Sequence, residues 1–251
     1  MTNIIQLLLT DPILNLLIFF YKVGFNNFGL AILFLTLFLK LILYPLSLPS
    51  LKMLKKQKEV AGELEELKKI YGKDKKLMAQ KQMELYKKHG INPASGCLPQ
   101  ILQIIILFAL YNVFLRVLKA VDDVSILNPN LYFEFLRSEA GHKLNTSFLY
   151  LNLAKPDPYY IMPILAGLSQ FVMTKMMTPM GALAKVQKEV AEKTEEKSDD
   201  VMYNMQKQMM YLGPVMTVFI GYKFPSGLVF YWFLQTVLGI LQQWIVQKSK
   251  S

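Results

Sequence analysis

Apolar residues fall into five long stretches along the chain, and lysine-rich connectors separate several of them. A helix needs about 20 mostly apolar residues to cross the hydrocarbon core of a bilayer, because each residue adds about 1.5 Å along the axis. The pattern therefore predicts transmembrane helices at residues 25–48, 97–118, 159–177, 208–222 and 228–246. The expected fold class is an all-α membrane protein with five transmembrane helices.

The first 24 residues are apolar but are interrupted by Asp11-Pro12. Ile13, Leu16, Leu17 and Phe20 share one helical face, and Lys22 closes the segment. About ten uninterrupted apolar residues are too few to span a bilayer. Residues 1–24 are therefore expected to form an amphipathic helix on the extracytoplasmic membrane surface.

Residues 49–96 carry more than half of the net charge of the chain. Between Leu51 and Gly90 there are twelve lysines and six acidic residues, whereas the whole chain has a net charge of +10. Charges recur every three to four residues over 52–71 and 74–89, which predicts a helical hairpin joined at Gly72. Its lysines suit anionic lipid or ribosomal RNA, and the candidate contact residues are Lys55, Lys56, Lys68, Lys69, Lys75 and Lys76.

Composition and charge asymmetry favour a polytopic membrane protein. The chain is 53% hydrophobic and only 18% charged, with a mean hydropathy of +0.29. Cytoplasmic connectors carry an excess of Lys and Arg, so 49–96, 178–207 and the tail 247–251 are expected in the cytoplasm. The connector 119–158 and the turn 223–227 are then extracytoplasmic, with the N-terminus outside and the C-terminus in the cytoplasm.

Residues that support catalysis or metal binding are sparse in the sequence. Cys97 is the single cysteine, and the two histidines, His89 and His142, both fall in connectors. There is no HExxH motif, glycine-rich phosphate loop or Ser/His/Asp arrangement. The sequence predicts neither an enzyme nor a metal or cofactor site.

Polar residues form a stripe on four of the predicted transmembrane helices. Thr36 and Lys40 lie four residues apart, so they share a face, and the other stripes contain glutamine. Their members are Gln100, Gln103 and Tyr111 in the second helix, Gln170 in the third, and Tyr231, Gln235 and Gln242 in the fifth. Four such stripes favour a shared, hydrated groove, although glutamines also hydrogen-bond between packed helices.

Lys40 is the only charged residue in the predicted first span. Its ammonium either extends to the headgroups, because Pro45 lies only five residues away, or faces the groove. Placing a lysine in the hydrocarbon core costs about 2.5–3.5 kcal/mol on insertion scales. A lysine without a function at this position would therefore be unfavourable. We expect Lys40 to face water or a visiting acidic group.

Three segments resemble the YidC/Oxa1/Alb3 family of membrane protein insertases. They are TLFLKLILYPLSL (36–48), GCLPQILQIIILFALYNVF (96–114) and FPSGLVFYWFLQTVLGILQQW (224–244), and the last includes Trp232. The order of a surface helix, a span, a charged hairpin and four further spans is also similar. The resemblance covers nearly the whole chain and implies the five-span bacterial form, without the extra N-terminal span and large periplasmic domain of the Gram-negative type.

The resemblance implies a function for the groove. In this family the groove is open to the cytoplasm and the lipid, and a basic residue in the first span attracts acidic groups of a nascent protein. Lys40 occupies that position, where the family usually has arginine. The implied partners are nascent membrane proteins, the ribosome, the Sec translocon and anionic lipids. The competing hypotheses are a small-solute transporter or channel and a membrane-complex assembly factor without catalytic activity.

Overall fold

The computed structural model describes residues 6–71, 74–92, 98–177 and 211–249. A π-helical turn, Gln6–Thr10, leads into the first of the helices. Their bounds are α1 Asp11–Val23, α2 Phe28–Glu59, α3 Ala61–Tyr71, α4 Lys75–Lys88, α5 Leu98–Lys119, α6 Ile161–Met177, α7 Tyr211–Gly221 and α8 Ser226–Lys248. The predicted all-α class is confirmed.

The hydrophobic core lies where α1, α2, α5 and α8 meet. Leu14 of α1, Phe28 of α2, Phe114 of α5 and Tyr231 of α8 are almost completely buried there. The rings of Phe28 and Phe114 meet edge to face with centroids 5.7 Å apart, an arrangement that aromatic pairs prefer. Helices from both ends of the chain therefore close around one core.

Asp11-Pro12 interrupts the apolar run of the first segment but not its helical course. The π-helical turn runs directly into α1, and Pro12 falls in the first turn of α1, where a missing backbone N–H is tolerated. Within the described residues, three helices are long and apolar enough to cross a membrane, namely Gln6–Val23, Phe28–Glu59 and Ser226–Lys248. The surface location of the first helix stays a prediction.

Two prolines, Pro45 and Pro49, lie near the end of the predicted first span, but α2 does not end at either of them. The helix continues through Pro45 and Pro49 to Glu59 and so joins the predicted span to the start of the charged segment. Each proline removes one backbone hydrogen bond, because it has no N–H to donate to the carbonyl four residues earlier, which is that of Leu41 for Pro45 and that of Pro45 for Pro49. Here the Ser47 hydroxyl donates to the carbonyls of Leu43 and Tyr44, each at 3.0 Å.

The charged segment forms a hairpin of α3 and α4. Leu64 and Leu85 are buried between the two helices, and Leu67 and Met78 pack beside them. The Asp74 side chain caps α4 by accepting a hydrogen bond from the backbone N–H of Leu77 at 3.0 Å, as helix N-caps do. Gly72, the predicted joint, lies outside the described residues.

The connector between α5 and α6 is folded around its own buried leucines. It contains two 3₁₀ turns, Val124–Asn130 and Glu134–Leu136, and a two-stranded hairpin of β1 Ser147–Phe148 and β2 Leu151–Asn152. The strands pair antiparallel, with Ser147 opposite Asn152 and Phe148 opposite Leu151. Leu153 is buried, and its carbonyl accepts a hydrogen bond from the backbone N–H of Gly227, which attaches the connector to the start of α8.

Candidate functional site

The Lys40 side chain of α2 points toward α8 and α6. A Cβ built on Gly239 of α8 would lie 3.5 Å from Lys40 Nζ and 3.2 Å from the terminal methyl of Met173 on α6. Alanine at position 239 would make only an ordinary contact with the ammonium, whereas a larger residue would compete with it for space. Glycine at this position lets the lysine lie between three helices.

No partner charge balances Lys40 in the part of the chain that the structure describes. The carboxylates there that form ion pairs do so with other residues, and none lies within 4.0 Å of the Lys40 ammonium. A partly buried, unpaired ammonium is unfavourable unless water or an anionic group solvates it. The arrangement suits a transient acidic ligand.

Two of the predicted groove glutamines bind each other. Gln235 of α8 donates a hydrogen bond from Nε2 to Oε1 of Gln103 on α5, and Gln103 also interacts with the buried hydroxyl of Tyr231. Hydrogen bonds of this kind join helices in membranes. These three residues therefore hold α5 against α8, which is the alternative role considered for the glutamines.

The remaining predicted groove residues have different surroundings. Thr36 is completely buried, and its hydroxyl donates to the carbonyl of Ile32 at 2.6 Å. The ring of Tyr111 packs against Phe224 with centroids 5.6 Å apart. Gln170, Trp232 and Gln242 are half-buried, and the side chain of Gln100 lies outside the described residues. Their role as groove residues stays a prediction.

Sequence reasoning missed Gln243. This side chain is completely buried, and neither its amide nitrogen nor its amide oxygen has a hydrogen-bond partner within the described residues. Gln247 Nε2 is also buried without a hydrogen-bond partner within the described residues. Gly239, Gln243 and Gln247 are spaced four residues apart and so share the helix face that meets Lys40. The four-residue spacing of Gly239, Gln243 and Gln247 was the sequence signal that could have identified the two glutamines.

The predicted hairpin lysines differ in their contacts. Lys55 Nζ donates to the carbonyl of Ser249 at 2.6 Å and thereby links α2 to the end of α8. Lys56 lines a shallow cavity with Glu63 and His89, and Lys69 lies 3.9 Å from Glu65. The side chains of Lys68, Lys75 and Lys76 lie outside the described residues. In that described part, no three His, Cys, Asp or Glu side chains form a group that could hold a metal ion.

Comparison with known proteins identifies the family. Residues 19–251 match the model of the family described as 60Kd inner membrane protein. The chain belongs to this family. The resemblance predicted from the three motifs is thereby confirmed, and family membership together with the apolar helices indicates a multi-pass integral membrane protein.

Relatives of the 60Kd inner membrane protein family align over most of the chain. A protein from Fusobacterium nucleatum named membrane protein insertase YidC is 34% identical over 89% of this chain and 88% of its own length. Proteins with the same name from Geobacter metallireducens and Vesicomyosocius okutanii are 34% and 35% identical over 96% and 97% of this chain. The chain spans 37% of the length of each of these two relatives.

Proposed function

We propose that this chain is a membrane protein insertase and chaperone that transfers nascent membrane proteins into the bilayer. The observation that carries the proposal is the Lys40 ammonium, which lies against Gly239 between α2, α6 and α8 with no acidic partner among the described residues. Relatives named as insertases support the same function. The groove around Lys40 is open to the cytoplasm and the lipid and works alone or beside the Sec translocon.

The energetics of this groove fit repeated use. An acidic residue near the bilayer centre costs about 2.5–3.5 kcal/mol on insertion scales, which opposes its passage. Opposite charges about 4 Å apart attract by about 4 kcal/mol at an effective dielectric of 20. The attraction offsets the cost without making release slow. Partitioning of the apolar client segment into lipid then drives insertion, and no covalent step is needed.

The proposed topology has five transmembrane helices, with the N-terminus outside and the C-terminus in the cytoplasm. The hairpin of α3 and α4 then lies in the cytoplasm beside the membrane. Its lysines are proposed to contact the ribosome and anionic lipids.

Insertion of matched clients in a host depleted of its own insertase tests the role of Lys40. One client carries an acidic translocated tail, and the other carries the same tail with neutral amides. Lys40→Gln should reduce insertion of the acidic client by roughly tenfold, which corresponds to losing about 1.4 kcal/mol of the attraction. Lys40→Arg should stay active, because arginine retains the charge.

The matched control is Lys143→Gln, which removes an exposed lysine from the α5–α6 connector and should leave both clients unaffected. Protease protection of the client tail measures insertion. If Lys40→Gln inserts the acidic client as well as the unmodified chain does, the groove charge has no role and an assembly factor becomes the better hypothesis.

A further inference from the structure

We propose that exposed aromatic residues on the α5–α6 connector insert into the outer leaflet of the bilayer and hold the connector at the membrane surface. The residues are Tyr132, Phe133 and Phe135, here called the aromatic ridge, and 53%, 58% and 60% of their surfaces are exposed. Contiguous exposed apolar groups of this kind mark interaction surfaces. The proposal depends on the proposed topology, which puts this connector outside the cytoplasm.

The aromatic ridge is rigidly supported from below. Leu131 and Leu136 flank it and are buried in the core. The backbone N–H of Tyr132 donates to Asn15 Oδ1 at 2.7 Å, and Lys22 Nζ donates to the carbonyls of Phe135 and Arg137, each at 2.7 Å. The aromatic rings are therefore held facing outward by a folded base.

The aromatic ridge continues the exposed apolar surface of the first helix. Phe19 of α1 meets Phe135 edge to face with ring centroids 6.4 Å apart, and Phe133 stacks on Phe135 at 5.7 Å. Leu7 and Leu8 are also exposed on the preceding turn. An exposed apolar surface on a helix of an integral membrane protein is solvated by lipid, so the same lipid reaches the ridge.

A second aromatic group lies on the same connector, at its junction with α6. Tyr150 packs against Tyr159 at 6.0 Å, and Tyr160 stacks at 4.9 Å on Tyr222, which follows α7. Leu149 at the hairpin turn is 80% exposed. Tyrosine is enriched at membrane interfaces, because its ring is apolar and its hydroxyl is polar. Aromatic groups at both ends of the connector fit a lipid interface better than a single protein partner.

Charged residues beside the ridge support its placement at the level of the lipid headgroups. Arg137 lies two residues after Phe135, and the Lys22 ammonium lies at the base of the ridge, so two cations are placed where lipid phosphates would lie. The next residues include Glu139, Gly141 and Lys143, which are exposed and polar and form the part of the connector expected in water. Only the three aromatic rings of the ridge are expected to enter the acyl region, while the exposed carboxylate of Glu134, between Phe133 and Phe135, stays among the headgroups.

Spin labels on single cysteines in lipid vesicles test this location. Cys97→Ser removes the only native cysteine. Labels then replace Phe133 or Phe135, and control labels replace Glu139 or Lys143. Collision with a water-soluble nickel chelate should be roughly threefold or more lower at the two ridge positions than at the controls, while collision with oxygen should be higher, because oxygen concentrates in the hydrocarbon.

A second measurement keeps an aromatic ring in the ridge. Phe133→Trp should add fluorescence that lipids with brominated acyl chains quench more strongly than the baseline of Trp232 and Trp244 alone. Equal nickel access at positions 133, 135 and 139 would overturn the proposal, and so would protection that requires an added protein. Neither measurement needs insertion activity, so a failed insertion test and a failed location test remain distinguishable.

Discussion

The ion pair between Asp11 and Arg116 should be a main stabilising contact between α1 and α5. Arg116 Nη1 lies 2.6 Å from Asp11 Oδ1, and only 7% of Asp11 is exposed. Asn15 donates to the Asp11 carbonyl at 2.8 Å and to the Asn130 carbonyl at 2.9 Å, so the same helix turn also holds the connector. Asp11→Asn keeps the shape of the side chain but leaves the guanidinium unpaired.

The expected cost follows from the burial of the pair. Removing one partner of a buried ion pair costs about 3–5 kcal/mol, because the other charge remains desolvated. Arg116 keeps 28% of its side chain exposed, so we expect the lower end of this range, about 3 kcal/mol.

A double-mutant cycle measures the pair directly. Asp11→Asn, Arg116→Met and the double variant are unfolded in mixed micelles by titration with sodium dodecyl sulfate. The single variants should each lose stability, and the double variant should lose less than their sum, with a coupling of about 2 kcal/mol. The double variant leaves no unpaired buried charge, because it removes both partners.

The matched control for this cycle is the exposed pair of Lys81 and Glu84 on α4, whose side-chain atoms lie 2.8 Å apart. Solvated pairs couple weakly, so Lys81→Met and Glu84→Gln should act almost independently. If the coupling between Asp11 and Arg116 is no larger than that of this control, the pair is not a stabilising contact and the account of α1 is refuted.

Substitutions at three further positions test the packing of α2 and α8. Gly239→Val should displace the Lys40 ammonium and reduce insertion of an acid-tailed client in the protease-protection assay, whereas Gly239→Ala should be milder; equal activity of all three chains would contradict the contact. Gln243→Met should raise the free energy of unfolding by about 1–3 kcal/mol in the same detergent titration, because it removes an unpaired buried amide; a loss of stability would reveal a partner for the amide. Gly29→Ala should lower stability by about 1–3 kcal/mol, because a Cβ there overlaps the ring of Phe148 and must separate β1 from α2; an unchanged unfolding midpoint would rule out this close packing.

The helical segments could be predicted because apolar runs and lysine-rich connectors are local signals. The local sequence did not show that α2 continues through Pro45 and Pro49 as far as Glu59. A proline costs a helix one backbone hydrogen bond, but a long apolar helix can continue through it. Whether the helix stops is decided by the packing around it, which the local sequence does not contain.

The site was harder to predict than the fold. Asp11 and Arg116 are 105 positions apart, so nothing in either segment indicates their pairing. The neighbouring residues Gln242 and Gln243 differ by about 100° around the helix axis. The predicted polar stripe of Tyr231 and Gln235 included Gln242, which is half-buried, and not the completely buried Gln243. Which face of α8 meets Lys40 depends on the rotation of the whole helix, and that rotation is set by contacts with α2 and α6.

The unbroken course of α2 has a mechanical consequence. One helix of 32 residues, about 48 Å long, carries Lys40 in its middle and ends in a run of lysines beside the hairpin. A protein that docks on the lysine-rich end of α2 and tilts the helix would therefore also move the Lys40 ammonium, because both belong to one continuous helix. Pro45 and Pro49 lie between Lys40 and the lysine-rich end and are where α2 bends most easily, so bending there would reduce the motion that reaches Lys40. In the proposed function, the stiffness of α2 at these two prolines decides how closely the docking of a client is linked to the position of Lys40.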